Sequence, residues 1–164
     1  MKHLILTILL VIFNQFGFAQ GNSIELFTSK MEHTRWKTDE AGFKYPVFFT
    51  KTELMEEELP AYFDIYTWGK VNYAYSFMGN WATDISSYPK VGMLIYPAVK
   101  VKSITYINSS STIYSGYTSD NRIFYLKRKI TTRDAVPHAK LLVLLYPKAY
   151  QKGAKHLIEQ IKKW

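Results

Sequence analysis

A run of six apolar side chains, LLVLLY at 141–146, constrains the fold of this chain more than any other feature. Successive side chains of a strand point to opposite sides, so a strand that is apolar at every position must be covered on both faces. The run therefore predicts a central strand of a packed sheet. Pro147 follows directly, and because proline cannot donate to a sheet ladder, it marks the end of this strand.

Other segments have the alternation or the composition of strands. In KVNYAYSF, 70–77, Val71, Tyr73 and Tyr75 alternate with polar or small residues, which is typical of a strand with one buried face. β-Branched and aromatic residues also predict strands at 45–50, 91–96, 99–107 and 122–130, with a weaker candidate at 24–29.

Two segments are predicted to be helical. The first lies near 52–59, where Thr50 and Glu53 are spaced as a capping box and Pro60 ends the helix. The second, 149–164, is amphipathic at 100° per residue, with lysines opposite the apolar stripe. Its apolar stripe consists of Tyr150, Ala154, Leu157, Ile158, Ile161 and Trp164.

These segments predict an α+β fold. We expect a mainly antiparallel sheet of five to seven strands, with one short helix and the C-terminal amphipathic helix packed on one face. A strongly curved sheet with an apolar cavity beneath the helix is the variant that the sequence does not separate from a solid core. No Pro/Gly/Ser-rich linker interrupts 20–164, so this region is predicted to be a single α+β domain.

Residues 1–19 have the organisation of a secretory signal peptide: basic Lys2, an apolar stretch over 4–13, and small residues at Gly17 and Ala19. The apolar stretch is shorter than the roughly 20 residues that span a bilayer. We predict cleavage after Ala19, a periplasmic or extracellular location, and no stable membrane span after cleavage; an uncleaved anchor helix is the alternative. The sequence contains no cysteine, so disulfides are excluded and the core alone must hold the domain.

Charge is distributed unevenly along the chain. Residues 20–121 contain nine basic and eleven acidic residues, whereas 122–164 contain eleven basic and only two acidic ones. A basic surface of this kind attracts polyanions, and the attraction falls with salt. The predicted basic surface consists of Lys127, Arg128, Lys129, Arg133, Lys140, Lys152, Lys155, Lys162 and Lys163.

Three interpretations of the basic surface remain open. It could bind an external partner: an envelope protein, or an anionic envelope component such as lipid headgroups, lipopolysaccharide phosphates or acidic polysaccharides. It could instead be the solvated back of a helix beside a lysine-protected edge strand, or be covered by the acidic residues of 53–58. An exported protein is not expected to meet nucleic acid.

Aromatic residues suggest a second kind of binding site. Trp81 lies in a polar loop between Asn80 and Asp84, where its ring could stack on a sugar while its neighbours bond the hydroxyls. Trp68, just before Gly69, is a second candidate for the same aromatic platform. The alternative is that Trp81 folds back onto the end of the sheet.

The sequence contains no recognisable catalytic motif. His138 near Asp134 and Arg133 forms the only compact polar cluster with a candidate base, and a connecting loop explains it equally simply. No pair of histidines has helical metal spacing, so no catalytic residue, metal site or cofactor is predicted.

The expected function is that of a non-catalytic exported bacterial protein that binds another envelope component through its basic C-terminal surface. Accessory, inhibitor and immunity-type proteins belong to this class. The alternative is a carbohydrate- or small-ligand-binding module that uses loop and strand aromatics, and a hydrolase of unrecognised geometry is a third, less favoured interpretation.

Overall fold

The computed structural model describes residues 23–52, 63–78, 90–92, 94–96, 99–108, 112–133 and 135–164. Within them the helices are α1 (23–32) and α2 (Gln151–Lys163), the second preceded by a 3-10 turn at Lys148–Tyr150. The strands are β1 (Trp36–Thr38), β2 (Lys44–Pro46), β3 (Thr50–Thr52), β4 (Phe63–Trp68), β5 (Val71–Met78), β6 (Leu94–Tyr96), β7 (Val99–Asn108), β8 (Ile113–Thr118), β9 (Arg122–Arg133) and β10 (Val136–Pro147).

One antiparallel sheet dominates the fold. Its strand order is β3-β4-β5-β10-β9-β8-β7, with the three-residue strand β6 added beside β7. β1 and β2 form a separate two-stranded hairpin. The sheet, together with α2 on one of its faces, confirms the predicted α+β fold.

Strand β10 occupies the centre of the sheet, between β5 and β9. Every residue of 141–146 is at most 3% exposed, which confirms the predicted coverage of both faces. On the face beneath α2, Leu142, Leu144 and Tyr146 belong to one core cluster. On the opposite face, Leu141 and the neighbouring alternate residues form a second cluster with β4, β5, β8 and β9.

Helix α2 lies against the first of these clusters, as its sequence pattern predicts. Tyr150, Ala154, Leu157 and Ile161 are buried, while Ile158 and Trp164 are partly buried at the edge of the contact. Burial of each large apolar side chain stabilises the fold by about 1.5–3 kcal/mol. This packing leaves the lysine-bearing side of α2 facing solvent.

The expectation of a strand at 24–29 is wrong, because this segment belongs to α1. Ile24, Phe27 and Met31 recur at helical spacing, and Phe27 and Met31 are buried in the core beneath α2. The predicted strand at 45–50 is divided by a turn at 47–48 into β2 and the start of β3. The helix predicted at 52–59 lies outside the described residues, apart from Thr52, which ends β3.

At Gly153, α2 packs closely against α1. A Cβ atom at Gly153 would lie 2.6 Å from two ring carbons of Phe27. The Phe27 ring is itself held by Trp68, with centroids 5.2 Å apart, and by Tyr150 at 5.5 Å. The contact indicates that close packing against Phe27 requires a residue without a side chain at position 153.

Replacing Gly153 with Ala is therefore expected to destabilise the protein. The gain in helix propensity is about 1 kcal/mol, but overpacking a rigid core costs about 1–3 kcal/mol, so the net loss should be up to about 2 kcal/mol. Urea unfolding measures the difference, with His156→Ala on the exposed side of the same helix as the control. A Gly153→Ala variant as stable as the wild type would show that Phe27 gives way.

Candidate functional site

The exposed side of α2 carries a row of lysines. We call Lys152, Lys155, Lys162 and Lys163 the lysine face; all four are exposed, and the Lys152 side chain retains 77% of its accessible surface. Every other exposed residue of α2 is also polar: Gln151, His156 and Glu159. The structure thus brings four of the predicted basic residues together on one polar surface.

Only part of this positive charge is neutralised locally. Lys152 Nζ lies 3.7 Å from Glu32 Oε1 of α1, and Lys162 Nζ lies 2.9 Å from Glu159 Oε1. The hydrogen bond and the charge of Glu159 raise the pKa of Lys162, so this lysine stays charged at neutral pH. Lys155 and Lys163 form no ion pair with any described residue, and α2 itself carries four lysines and one glutamate.

Lys127 is not part of the exposed basic surface, although the sequence analysis predicted that it would be. It is only 4% exposed, and its Nζ donates a 2.9 Å hydrogen bond to the main-chain oxygen of Lys162. Burial, and to a lesser extent the charge of Lys129, lowers the pKa of Lys127. The last carbonyl groups of a helix have no partner within the helix and carry partial negative charge. Lys127 therefore caps the C-terminal end of α2 from the neighbouring sheet.

Lys129 makes a related contact but remains exposed. Its Nζ lies 3.4 Å from the main-chain oxygen of Trp164 and 5.9 Å from the centre of the Trp164 ring. Lys140 of β10 lies opposite Lys129 in the ladder and is partly exposed. These two residues therefore extend positive charge from the end of α2 onto the sheet.

Arg128 points to the other side of the sheet. It is 2% exposed and lies opposite Leu141, whose side chain belongs to the second core cluster. Its main-chain N–H donates to the oxygen of Thr112 at 3.0 Å. The expectation of an exposed Arg128 is wrong, because this side chain lies on the face of β9 opposite Lys127 and Lys129, beside the second core cluster. Arg133 lies in β9, and its side chain falls outside what the structure describes.

The predicted aromatic platform is described only at Trp68. Its ring stacks on Phe27 at 5.2 Å and meets Phe48 and Tyr150 edge-on, so it forms part of the packing beneath the helices. Trp81, Asn80 and Asp84 lie outside the described residues.

A cavity of about 320 Å³ adjoins the end of the lysine face. Its lining comes from three parts of the fold: Gly42 and Phe43 of the β1–β2 turn with Lys44 of β2, Tyr73 of β5, and Gln160 and Lys163 of α2 with the following Trp164. The sequence did not single out this combination as a site. Lys44 and Lys163 are far apart in sequence and line the same cavity only in the folded protein, so no local sequence pattern predicts it.

Asp39 holds the β1–β2 turn over the sheet. Its Oδ1 accepts a 2.8 Å hydrogen bond from the Phe43 main chain, and its Oδ2 accepts one of 2.7 Å from the Tyr66 hydroxyl. Tyr45 stacks on the Tyr66 ring with a centroid distance of 4.0 Å. Burial, followed by the hydrogen bond to Asp39, raises the pKa of Tyr66, so its hydroxyl stays protonated and keeps donating. The wall of the cavity that carries Lys44 is thus fixed to β4.

No arrangement of the described residues indicates metal-dependent chemistry, since they contain no group of three or more His, Asp or Glu placed to hold an ion. His138 is partly exposed in β10, and Asp134, its predicted neighbour, lies outside the described residues. Neither α1 nor α2 has the length and hydropathy that crossing a bilayer requires.

Comparison with known proteins adds no assignment to this geometry: no family model, curated protein or solved structure matches the chain.

Proposed function

We propose that this is a non-catalytic exported bacterial protein that binds an anionic polysaccharide of the cell envelope through the lysine face of α2. Export is supported by the signal-peptide pattern of residues 1–19. The observation that carries the proposal is the lysine face itself, a rigid surface on which four lysines meet a single acidic residue of the same helix. Such a surface attracts polyanions by its summed potential.

The polarity of this face favours a polyanion over an ordinary protein partner. Stable protein interfaces have an apolar centre from which charged residues are depleted, whereas every exposed residue of α2 is polar. The same feature disfavours insertion into a lipid surface, because interfacial helices bury an apolar face in the membrane. The apolar face of α2 is already packed on the sheet.

The spacing of the lysines sets the size of the ligand. Lys152 and Lys163 are eleven positions apart, which corresponds to roughly 16 Å along a helix axis. A ligand that engages both must carry several negative charges over this length. An acidic polysaccharide meets that requirement, and the cavity beside Trp164 adds a contact suited to a sugar ring.

Retention of the protein on immobilised polymers tests the proposal. We expect retention on a polyuronate in low-salt buffer and release at about 1 M salt, where charges are screened beyond about 3 Å. A neutral polysaccharide is the control and should not retain the protein. Anionic vesicles and a polyglutamate matrix form two further arms. Stronger retention on either of these than on the polyuronate would overturn the assignment to a polysaccharide.

A further inference from the structure

We infer that the cavity between the β1–β2 turn and the end of α2 binds one acidic sugar unit, that is, a sugar ring bearing a carboxylate or a phosphate. The inference rests on the proposed function and names the part of the polymer that would be recognised specifically. A lysine row alone distinguishes polyanions mainly by charge density, whereas a cavity lined by polar and aromatic side chains can also recognise the sugar ring.

Two cations from separate elements border the cavity. Lys44 belongs to β2 and Lys163 to the last turn of α2, and both side chains are exposed at its rim. Hydrogen bonds in which donor and acceptor are both charged are shorter and stronger than neutral ones. Lys163 is also part of the lysine face, so the cavity continues the same positive surface. A polymer lying along α2 would therefore bring a sugar unit to it.

Neutral polar groups provide contacts that an anion alone would not require. Gln160 contributes an amide, which offers both donors and an acceptor. Tyr73 lines the inner side of the cavity and is almost fully buried. Burial raises the pKa of Tyr73, so its hydroxyl stays protonated. Sugar hydroxyls are suitable partners for the Gln160 amide.

Aromatic rings supply the apolar part of the site. Phe43 and Trp164 both line the cavity. The Trp164 ring is held by an edge contact with Tyr75, centroids 6.1 Å apart, and by Lys129. A fixed aromatic wall beside a few polar groups is typical of small-ligand sites, whose volumes are about 300–1,000 Å³. At about 320 Å³, this cavity suits one sugar unit rather than a long segment.

A second cavity provides a comparison for the cations and aromatic residues of the first. It measures about 410 Å³ and lies between the β4–β5 and β8–β9 turns, where it is lined by Lys70, Asp120 and Arg122. There, Arg122 Nε already bonds Asp120 Oδ2 at 2.7 Å, and none of the described residues that line the space is aromatic. Arg122 and Asp120 thus neutralise each other in that turn, whereas Lys44 and Lys163 form no ion pair with any described residue.

Titration of the folded protein with monosaccharides tests the inference, read from tryptophan fluorescence and from the Trp164 indole resonance. The probes are galacturonate, glucose 6-phosphate, neutral glucose and inorganic phosphate. Both acidic sugars should bind at least about tenfold more tightly than glucose or phosphate, because only they use the charged and the aromatic contacts together. Equal binding of glucose or of phosphate would overturn the inference.

Variants locate the site and separate this inference from the proposed function. Lys44→Ala should weaken galacturonate binding at least about tenfold, and Lys163→Gln gives a second, independent loss. The double change Lys152→Gln and Lys155→Gln should leave galacturonate binding within about twofold while weakening polyuronate binding. If galacturonate does not bind but the polymer is still retained, the cavity inference fails alone. If galacturonate binds but the polymer is not retained, the proposed function fails.

Discussion

Replacing Lys127 with Glu is expected to lower the free energy of unfolding by about 3–5 kcal/mol, the range for breaking a buried charged contact. Lys127 is 4% exposed and donates to the main-chain oxygen of Lys162. A carboxylate at this position would be buried against the partially negative end of α2 instead. Urea unfolding followed by circular dichroism measures the loss.

The matched control is Lys155→Glu, which makes the same charge reversal on the exposed side of α2. Surface substitutions of this kind usually change stability by less than about 0.5 kcal/mol. Lys127→Met, which keeps the aliphatic stem, should fall between the two. If Lys127→Glu were as well tolerated as Lys155→Glu, Lys127 would have to be a surface residue, as the sequence suggested.

Neutralising three lysines of the lysine face should abolish most of the binding to a polyanion. Each lysine near an anionic surface contributes about 1 kcal/mol. Changing Lys152, Lys155 and Lys163 to Gln should therefore weaken polyuronate binding roughly 100-fold at low salt. Titrations at several salt concentrations should also give a shallower salt dependence for the variant. Glutamine has a helix propensity close to that of lysine, so the helix itself should persist.

A second triple variant with the same net charge controls for non-specific attraction. Lys90, Lys100 and Lys102 are all exposed. Lys100 and Lys102 lie in β7, on the other side of the sheet from β3, and Lys90 precedes β6. Their replacement by Gln should change binding by less than about threefold if charge position decides the affinity. Equal losses in the two variants would mean that net charge alone attracts the polymer.

The large features of the fold were accessible from local sequence patterns. The apolar run at 141–146 identified the central strand because only a doubly covered strand tolerates apolar side chains at every position. The apolar stripe from Tyr150 to Trp164 identified the buried face of α2, because the helical spacing of apolar residues can be recognised within one short segment of sequence. Segment 24–29 was assigned wrongly, since its helical spacing becomes visible only when Met31 is included.

The composition of the basic surface was only partly predictable. Lys127, Arg128 and Lys129 are consecutive, and the predicted strand at 122–130 already places Arg128 on the opposite face from the two lysines. That step was available from the sequence. The burial of Lys127 was not, because it depends on where the end of α2 meets β9.

The cavity was not predictable from local patterns. Its cationic rim joins Lys44 to Lys163, and the position of Lys44 depends on the contacts of Asp39 with Phe43 and Tyr66. Such contacts link residues that are distant in sequence, and neither hydrophobic periodicity nor residue spacing encodes them. The same holds for the junction between the cavity and the lysine face.

The most direct test of polyanion binding through α2 is a residue-by-residue map of the amide resonances when a short acidic oligosaccharide is added. We expect shifts along the outward residues of α2, from Lys152 to Lys163, and at Lys44 beside the cavity. Resonances of the exposed aromatic residues Tyr106 and Tyr117 on β7 and β8 should stay unchanged. Shifts confined to Tyr106, Tyr117 and their neighbours, with α2 unaffected, would show that the polyanion does not bind through α2.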